Sequence, residues 1–168
     1  IVVGQDGLIT VAGGKLTTYR KMSEEVVDTA VKLLRLSGRV QARLAPAGTD
    51  REPLPGAVGW PGDDDHDKVA RAIRSVAGQV LSEETARYLA DHYGMRGIDI
   101  ARRVRKDPSQ AEPLVPGRPE ILAEVEWAVT EELAATVTDV MVRRTQLFYK
   151  DPDQGLGALD AVAARMAG

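Results

Sequence analysis

The chain contains no cysteine, so disulfides, thiolate metal sites and a cysteine nucleophile are excluded, and a reducing compartment is the expected setting. It also lacks any run approaching the ~20 apolar residues that a membrane-spanning helix needs, and no signal-peptide pattern precedes its first apolar run. Membrane contact, where there is any, is expected to be peripheral, and the cytoplasmic side is the expected location. An excess of one charge is missing too: Lys and Arg number 22 against 25 Asp and Glu, a net of −3, so nucleic acid is not expected as a partner. The common phosphate signatures are absent as well. Ile9 and Leu16 stand where a Walker A loop needs glycine and Ser or Thr, and no set of three spaced glycines opens a dinucleotide-binding turn.

What is present is concentrated in one segment. Gly13 and Gly14 join an apolar run, Leu8 to Ala12, to the start of an amphipathic helical pattern. Two adjacent glycines let backbone N–H groups approach a ligand without a Cβ in the way. Thr17 is placed to cap the helix, the helix start carries partial positive charge, and Lys15 adds a full one. These are the ingredients of an anion site; a plain strand-to-helix turn is the alternative reading.

The rest of the chain is expected to be mainly α. Ile1 to Val3 and Leu8 to Ala12 are β-branched runs separated by Gly4 to Gly7, whose Asp-Gly pair signals a hairpin. Helical spacing runs from Thr17 to about Leu36, closed by Ser37 and Gly38. Four prolines and four glycines between Arg39 and Gly62 forbid long regular structure and mark a linker. Helices are then expected over Asp63 to Ala77, from Ser82 as cap to Tyr93 with Gly94 as stop, and over Arg96 to Asp107 ahead of Pro108. Further ones are expected over Glu120 to Val129 behind Pro119, Glu131 to Tyr149, and Leu156 to Met166. The domains read as 1–38, a linker over 39–62, and an α-helical domain over 63–168.

The string GLITVAGGKLTTYRKMSEEVVD, Gly7 to Asp28, resembles the late segment of FAD-dependent glycerol-3-phosphate dehydrogenases. AEVEWAVTEELAATVTDVMVRRT, Ala123 to Thr145, resembles that family's carboxy-terminal helical signature, and LADHYG (Leu89 to Gly94) and LVPGRP (Leu114 to Pro119) match in order and separation. The resemblance implies the carboxy-terminal portion of such an enzyme: a hairpin remnant of the FAD-binding domain, a long helix, then an all-α domain. The absent initiator Met suits a domain piece. The resemblance further implies that Lys15 is catalytic, close to the flavin ring and the substrate, and that Gly13, Gly14, Lys15, Leu16, Thr17 and Thr18 contact the flavin, mainly through backbone N–H groups. Thr18, within Thr-Thr-Tyr-Arg, resembles the dehydrogenases rather than their oxygen-using relatives. The implied partners are an amino-terminal FAD and substrate domain of the same polypeptide, glycerol 3-phosphate and quinone, with a homodimer and a peripheral membrane contact left open. Without the amino-terminal half the chain is expected to hold no FAD and to be inactive. A non-enzymatic helical interaction module and the glycerophosphate oxidase relative are the alternatives.

Other clusters read as structural. Asp63, Asp64, Asp65, His66 and Asp67 lie consecutively at a helix start, where acids favour the dipole and do not converge on one ion, so no metal is expected. His92 has no catalytic companions in sequence. Arg102, Arg103, Arg105 and Lys106 are expected to form a solvated basic face. Asp139, four residues before Arg143, is expected to pair with it as one link of a partly buried ion-pair network around Arg143 and Arg144, with Glu131 and Glu132 upstream on the same helical region.

Overall fold

The Asp-Gly pair turns the chain as its composition requires, and in the computed structural model, which describes residues 1–167, β1 (Val2–Val3) pairs antiparallel with β2 (Ile9–Thr10). Gly7 takes φ +85° and donates its N–H to the Gly4 carbonyl at 3.0 Å, while Asp6 Oδ1 accepts the Leu8 N–H at 3.0 Å. Leu16–Thr18 then make a single 3-10 turn that leads into α1 (Tyr19–Leu36). Gly38, at φ +71°, closes that helix in the left-handed conformation. Chain packing sets apart a first unit, Ile1–Pro53, and a second that runs from Leu54 onward.

No residue of the first unit is buried. Met22, Val26 and Val31 are half-covered, and Val27, Leu34 and Leu36 are exposed, so the apolar stripe of α1 has no core of its own to face.

The second unit is helical and holds two apolar clusters. The helices α2 (His66–Val76), α3 (Glu83–Tyr93) and α4 (Gly97–Lys106) enclose Val69, Ile73, Leu89, Ile100 and Val104. Each large aliphatic side chain buried there contributes roughly 1.5–3 kcal/mol. Trp60, just ahead of α2, packs on the edge of this cluster. The next helix, α5 (Leu122–Glu132), is shared: Ala123 and Trp127 face the first cluster, Val125 and Ala128 the second. A turn of π-helix, Asp139–Arg144, the short α6 (Leu147–Lys150) and α7 (Leu159–Ala167) complete the second cluster through Val140, Met141, Leu147 and Val162. The architecture is mainly α with a small antiparallel hairpin, the class the sequence implies.

Three local expectations are corrected. Thr17 does not cap α1, because the 3-10 turn encloses it; the hydroxyl of Thr18 instead donates back to the Lys15 carbonyl at 2.8 Å. The helix expected over Glu120 to Val129 starts two residues later. Ile121 is extended, the Glu120 carbonyl accepts the Leu114 N–H at 2.8 Å, and Leu122 N–H reaches Glu112 O at 3.0 Å, so the approach to α5 is held in a strand-like bridge. The single long helix over Glu131 to Tyr149 is broken twice, at Leu133 (φ +56°) and Gln146 (φ +61°). Between the breaks, Asp139 accepts the N–H groups of Ala135 and Thr136 at 3.1 and 2.9 Å, an alternative to helical bonding that the β-branched residues of this stretch favour.

Candidate functional site

Gly13–Lys15 run without regular structure into the 3-10 turn of Leu16–Thr18 at the head of α1. Gly13 and Gly14 sit at φ +81° and +97°, a region that residues with a Cβ rarely enter. A Cβ on Gly13 would meet nothing within 4 Å, so conformation rather than crowding demands glycine there, and the face above it is open. Among the described residues, the N–H groups of Gly14, Lys15, Leu16 and Thr17 have no acceptor. They precede an 18-residue helix whose dipole places partial positive charge at this end. Lys15 is extended (φ −83°, ψ 138°) and exposed, and Leu16 is 85 % exposed. The carbonyl of Lys15 accepts both the N–H and the hydroxyl of Thr18, at 2.9 and 2.8 Å, which braces the turn. The arrangement can receive an anionic or electron-rich group through backbone donors and one ammonium.

A second polar cluster lies inside the helical unit, and sequence reasoning missed it. Glu124, in the first turn of α5, is fully buried and accepts the hydroxyls of Tyr88 and Tyr93, each at 2.8 Å, together with the Ile121 N–H at 2.7 Å. Burial pushes its carboxyl up to about 7 despite these three donors, and the nearby Glu120 adds to the rise. Burial also raises both tyrosines, with the Glu124 charge next in importance. Glu120, equally buried, is held by Arg118 at 3.3 Å and by Lys150 at 3.7 Å. Two acids four residues apart within an otherwise apolar stretch were the available signal. With Glu124 fully buried, the cluster joins α3 to α5 rather than presenting a reactive group.

Most of the remaining candidates are engaged by neighbours. Asp63 pairs with Lys68, Asp64 accepts the Trp60 indole N–H at 2.7 Å, Asp65 caps α2 through the Lys68 N–H at 3.1 Å, and Asp67 pairs with Arg87. His66 Nδ1 lies 2.6 Å from Asp91. His92 stacks on Tyr88 with ring centroids 5.3 Å apart and donates from Nε2 to the Arg144 carbonyl at 3.0 Å. The basic cluster on α4 is not uniformly solvated: Arg103 donates to Glu126 at 2.6 Å and Glu131 at 3.2 Å and lies over Trp127, whereas Arg105 and Lys106 are exposed. Asp139 meets Arg143 at 2.8 Å as expected, but that arginine is exposed; the better covered pair is Arg144 with Glu132 at 3.0 Å. The hydroxyl and N–H of Thr136, more than Arg143, hold Asp139 down at about 2.

Comparison with known proteins agrees with the sequence resemblance. The chain is 33% identical over 159 residues to the glycerol-3-phosphate dehydrogenase of Synechocystis sp., covering 95% of this chain and 27% of that protein. To the mitochondrial glycerol-3-phosphate dehydrogenase of Mesocricetus auratus it is 33% identical over 168 residues, 98% of this chain and 21% of the relative. To glycerol-3-phosphate dehydrogenase 2 of Mycobacterium tuberculosis it is 30% identical over 167 residues, 99% and 27% respectively. The chain thus spans about a quarter of the length of these relatives. No solved structure gives a significant match. The family described as the C-terminal domain of alpha-glycerophosphate oxidase matches residues 47–168, and the chain belongs to that family.

Proposed function

We propose that this chain is the carboxy-terminal part of an FAD-dependent sn-glycerol-3-phosphate dehydrogenase that oxidises the C2 hydroxyl of glycerol 3-phosphate to the ketone of dihydroxyacetone phosphate and passes the electrons to quinone. The observation that carries this reading is the Gly13–Gly14 turn, with four free N–H donors and Lys15 at the head of α1, in a unit that has no buried residue and so needs further polypeptide to cover it. The residues present suit the cofactor: Gly13 leaves an open face, and among the described residues the N–H groups of Gly14, Lys15, Leu16 and Thr17, just ahead of a helix, have no acceptor. Gly13, Gly14, Lys15, Leu16, Thr17 and Thr18 would hold its electron-rich edge. FAD, when bound, supplies the hydride acceptor. The ammonium of Lys15 and the fixed N–H dipoles stabilise negative charge at this end without having to reorganise, which is where preorganised donors are most effective.

The amino-terminal remainder of the same polypeptide supplies the rest of the substrate and cofactor site, so the 168-residue chain by itself should be colourless and inactive. None of the described helices is long and apolar enough to cross a membrane; contact with the cytoplasmic face of a membrane would be peripheral. The test is the full-length protein assayed with glycerol 3-phosphate and a soluble quinone. Lys15→Met should retain the fold and lower kcat/KM by about 100-fold or more. An unchanged kcat/KM removes Lys15 from the reaction, and a full-length protein without flavin absorbance overturns the reading. Oxygen consumption in place of quinone reduction would assign the protein to the oxidases, against the dehydrogenase-like Thr18.

A further inference from the structure

Arg20 is the one residue of the Gly13–Arg20 segment whose side chain reaches far along the sequence. Its Nη1 donates to the Thr49 carbonyl and, at 2.9 Å, to the Glu52 carbonyl, 29 and 32 residues away. Its Nε lies 3.2 Å from the Tyr19 hydroxyl. Among the described residues, these are the only side-chain hydrogen bonds in the first unit that span more than four residues. The carbonyls it takes belong to a turn closed on itself, since the N–H groups of Arg51 and Glu52 both reach the Gly48 carbonyl at 2.9 Å.

The head of α1 needs such a tie. No side chain caps the helix at Thr18, none of its residues is buried, and the first turn of an uncapped helix without a packed face frays. A cation in a first turn also opposes the helix dipole, and here that charge is taken up by two carbonyl oxygens. At ~1.5 Å per residue α1 is roughly 27 Å long, and the 11 residues from Gly38 to Gly48 can span at most roughly 36–40 Å. The return from the end of the helix to its beginning therefore uses most of the available reach and ends at the Arg20 guanidinium.

We propose that Arg20 is a positioning residue for the anion-receiving turn: by latching the Gly48–Glu52 turn to the first turn of α1, it holds the Gly14–Thr17 donors and Lys15 in place without touching the ligand. This rests on the function proposed above. The test uses the full-length protein with Arg20→Ala and Arg20→Lys, read by amide hydrogen exchange over residues 14–23 and 47–53 and by steady-state kinetics with glycerol 3-phosphate. Arg20→Ala should speed exchange in both segments about tenfold and lower kcat about tenfold, with a smaller change in KM. Arg20→Lys keeps the charge but loses the rigid, directional guanidinium donors, so it should recover less than half of either effect. Full recovery by Lys would make Arg20 a charge that meets the anion directly and overturns the latch; unaltered exchange in Arg20→Ala overturns it equally. Failure of the underlying reading is distinct, because it appears as an unaffected Lys15→Met enzyme whatever Arg20 does.

Discussion

Glu124→Gln isolates what it costs to bury a carboxyl at the junction of α3 and α5. An unfolded chain ionises this group near 4.5 and the folded one near 7. Below 4.5 the proton is bound in both states and the group is neutral in its effect on stability. As pH rises from 4.5 to about 7 the unfolded chain loses the proton while the folded one retains it, so stability falls; above 7 the loss is constant. A span of about 2.5 pH units at ~1.4 kcal/mol each is about 3–4 kcal/mol, most of which lies between pH 5 and pH 8. Glutamine keeps an acceptor for Tyr88 and Tyr93 but turns an amide N–H2 toward the Ile121 N–H, which costs about 1–3 kcal/mol at every pH. The informative quantity is therefore the slope. Urea unfolding of wild type and Glu124→Gln at pH 5 and pH 8 should show the variant gaining about 2–3 kcal/mol on the wild type between the two. A difference that is the same at both pH values, to within about 0.5 kcal/mol, would refute the assignment of a raised carboxyl to this site.

Gly94→Ala should destabilise the helical unit by about 3 kcal/mol or more, because a Cβ there would lie 2.3 Å from the Gly56 carbonyl oxygen at a backbone φ of +59°; thermal unfolding beside Gly117→Ala, where the Cβ meets open space, separates the clash from the conformational cost. Leu133→Gly should stabilise by about 1 kcal/mol, since Leu133 is 85 % exposed and left-handed, and a lower urea midpoint would show that its side chain contributes contacts instead. Asp139→Asn should weaken the start of the π-helical turn at neutral pH. Because Asp139 is held down at about 2, that deficit should persist above about pH 4 and close as pH falls toward 2; a pH-independent deficit would mean that its charge plays no part.

Elements whose signals are local were legible: the Asp6-Gly7 hairpin, the Ser82 cap bonded to the Thr85 N–H at 3.0 Å, the Gly94 stop and the Gly38 closure all agree with the structure. In each, the residue that decides the backbone lies within three or four positions of the backbone it decides. The two breaks at Leu133 and Gln146 carried no such signal, because neither is a residue that ordinarily ends a helix. They are imposed by the packing of Ala134, Val140, Met141 and Leu147 into the second cluster and by Asp139 drawing local N–H groups away from the helix.

By itself the sequence determined the helical class, the need for glycine at Gly13 and Gly14, both at positive φ, and the family resemblance, since these depend on glycine conformation, helix periodicity and the order of short motifs. Only the tertiary structure decided that Glu124 lies buried between Tyr88 and Tyr93, and that Arg20 binds the carbonyls of Thr49 and Glu52. Those contacts join residues about 30 positions apart, where burial and hydrogen-bond partners are set by how elements pack rather than by any neighbour in the chain.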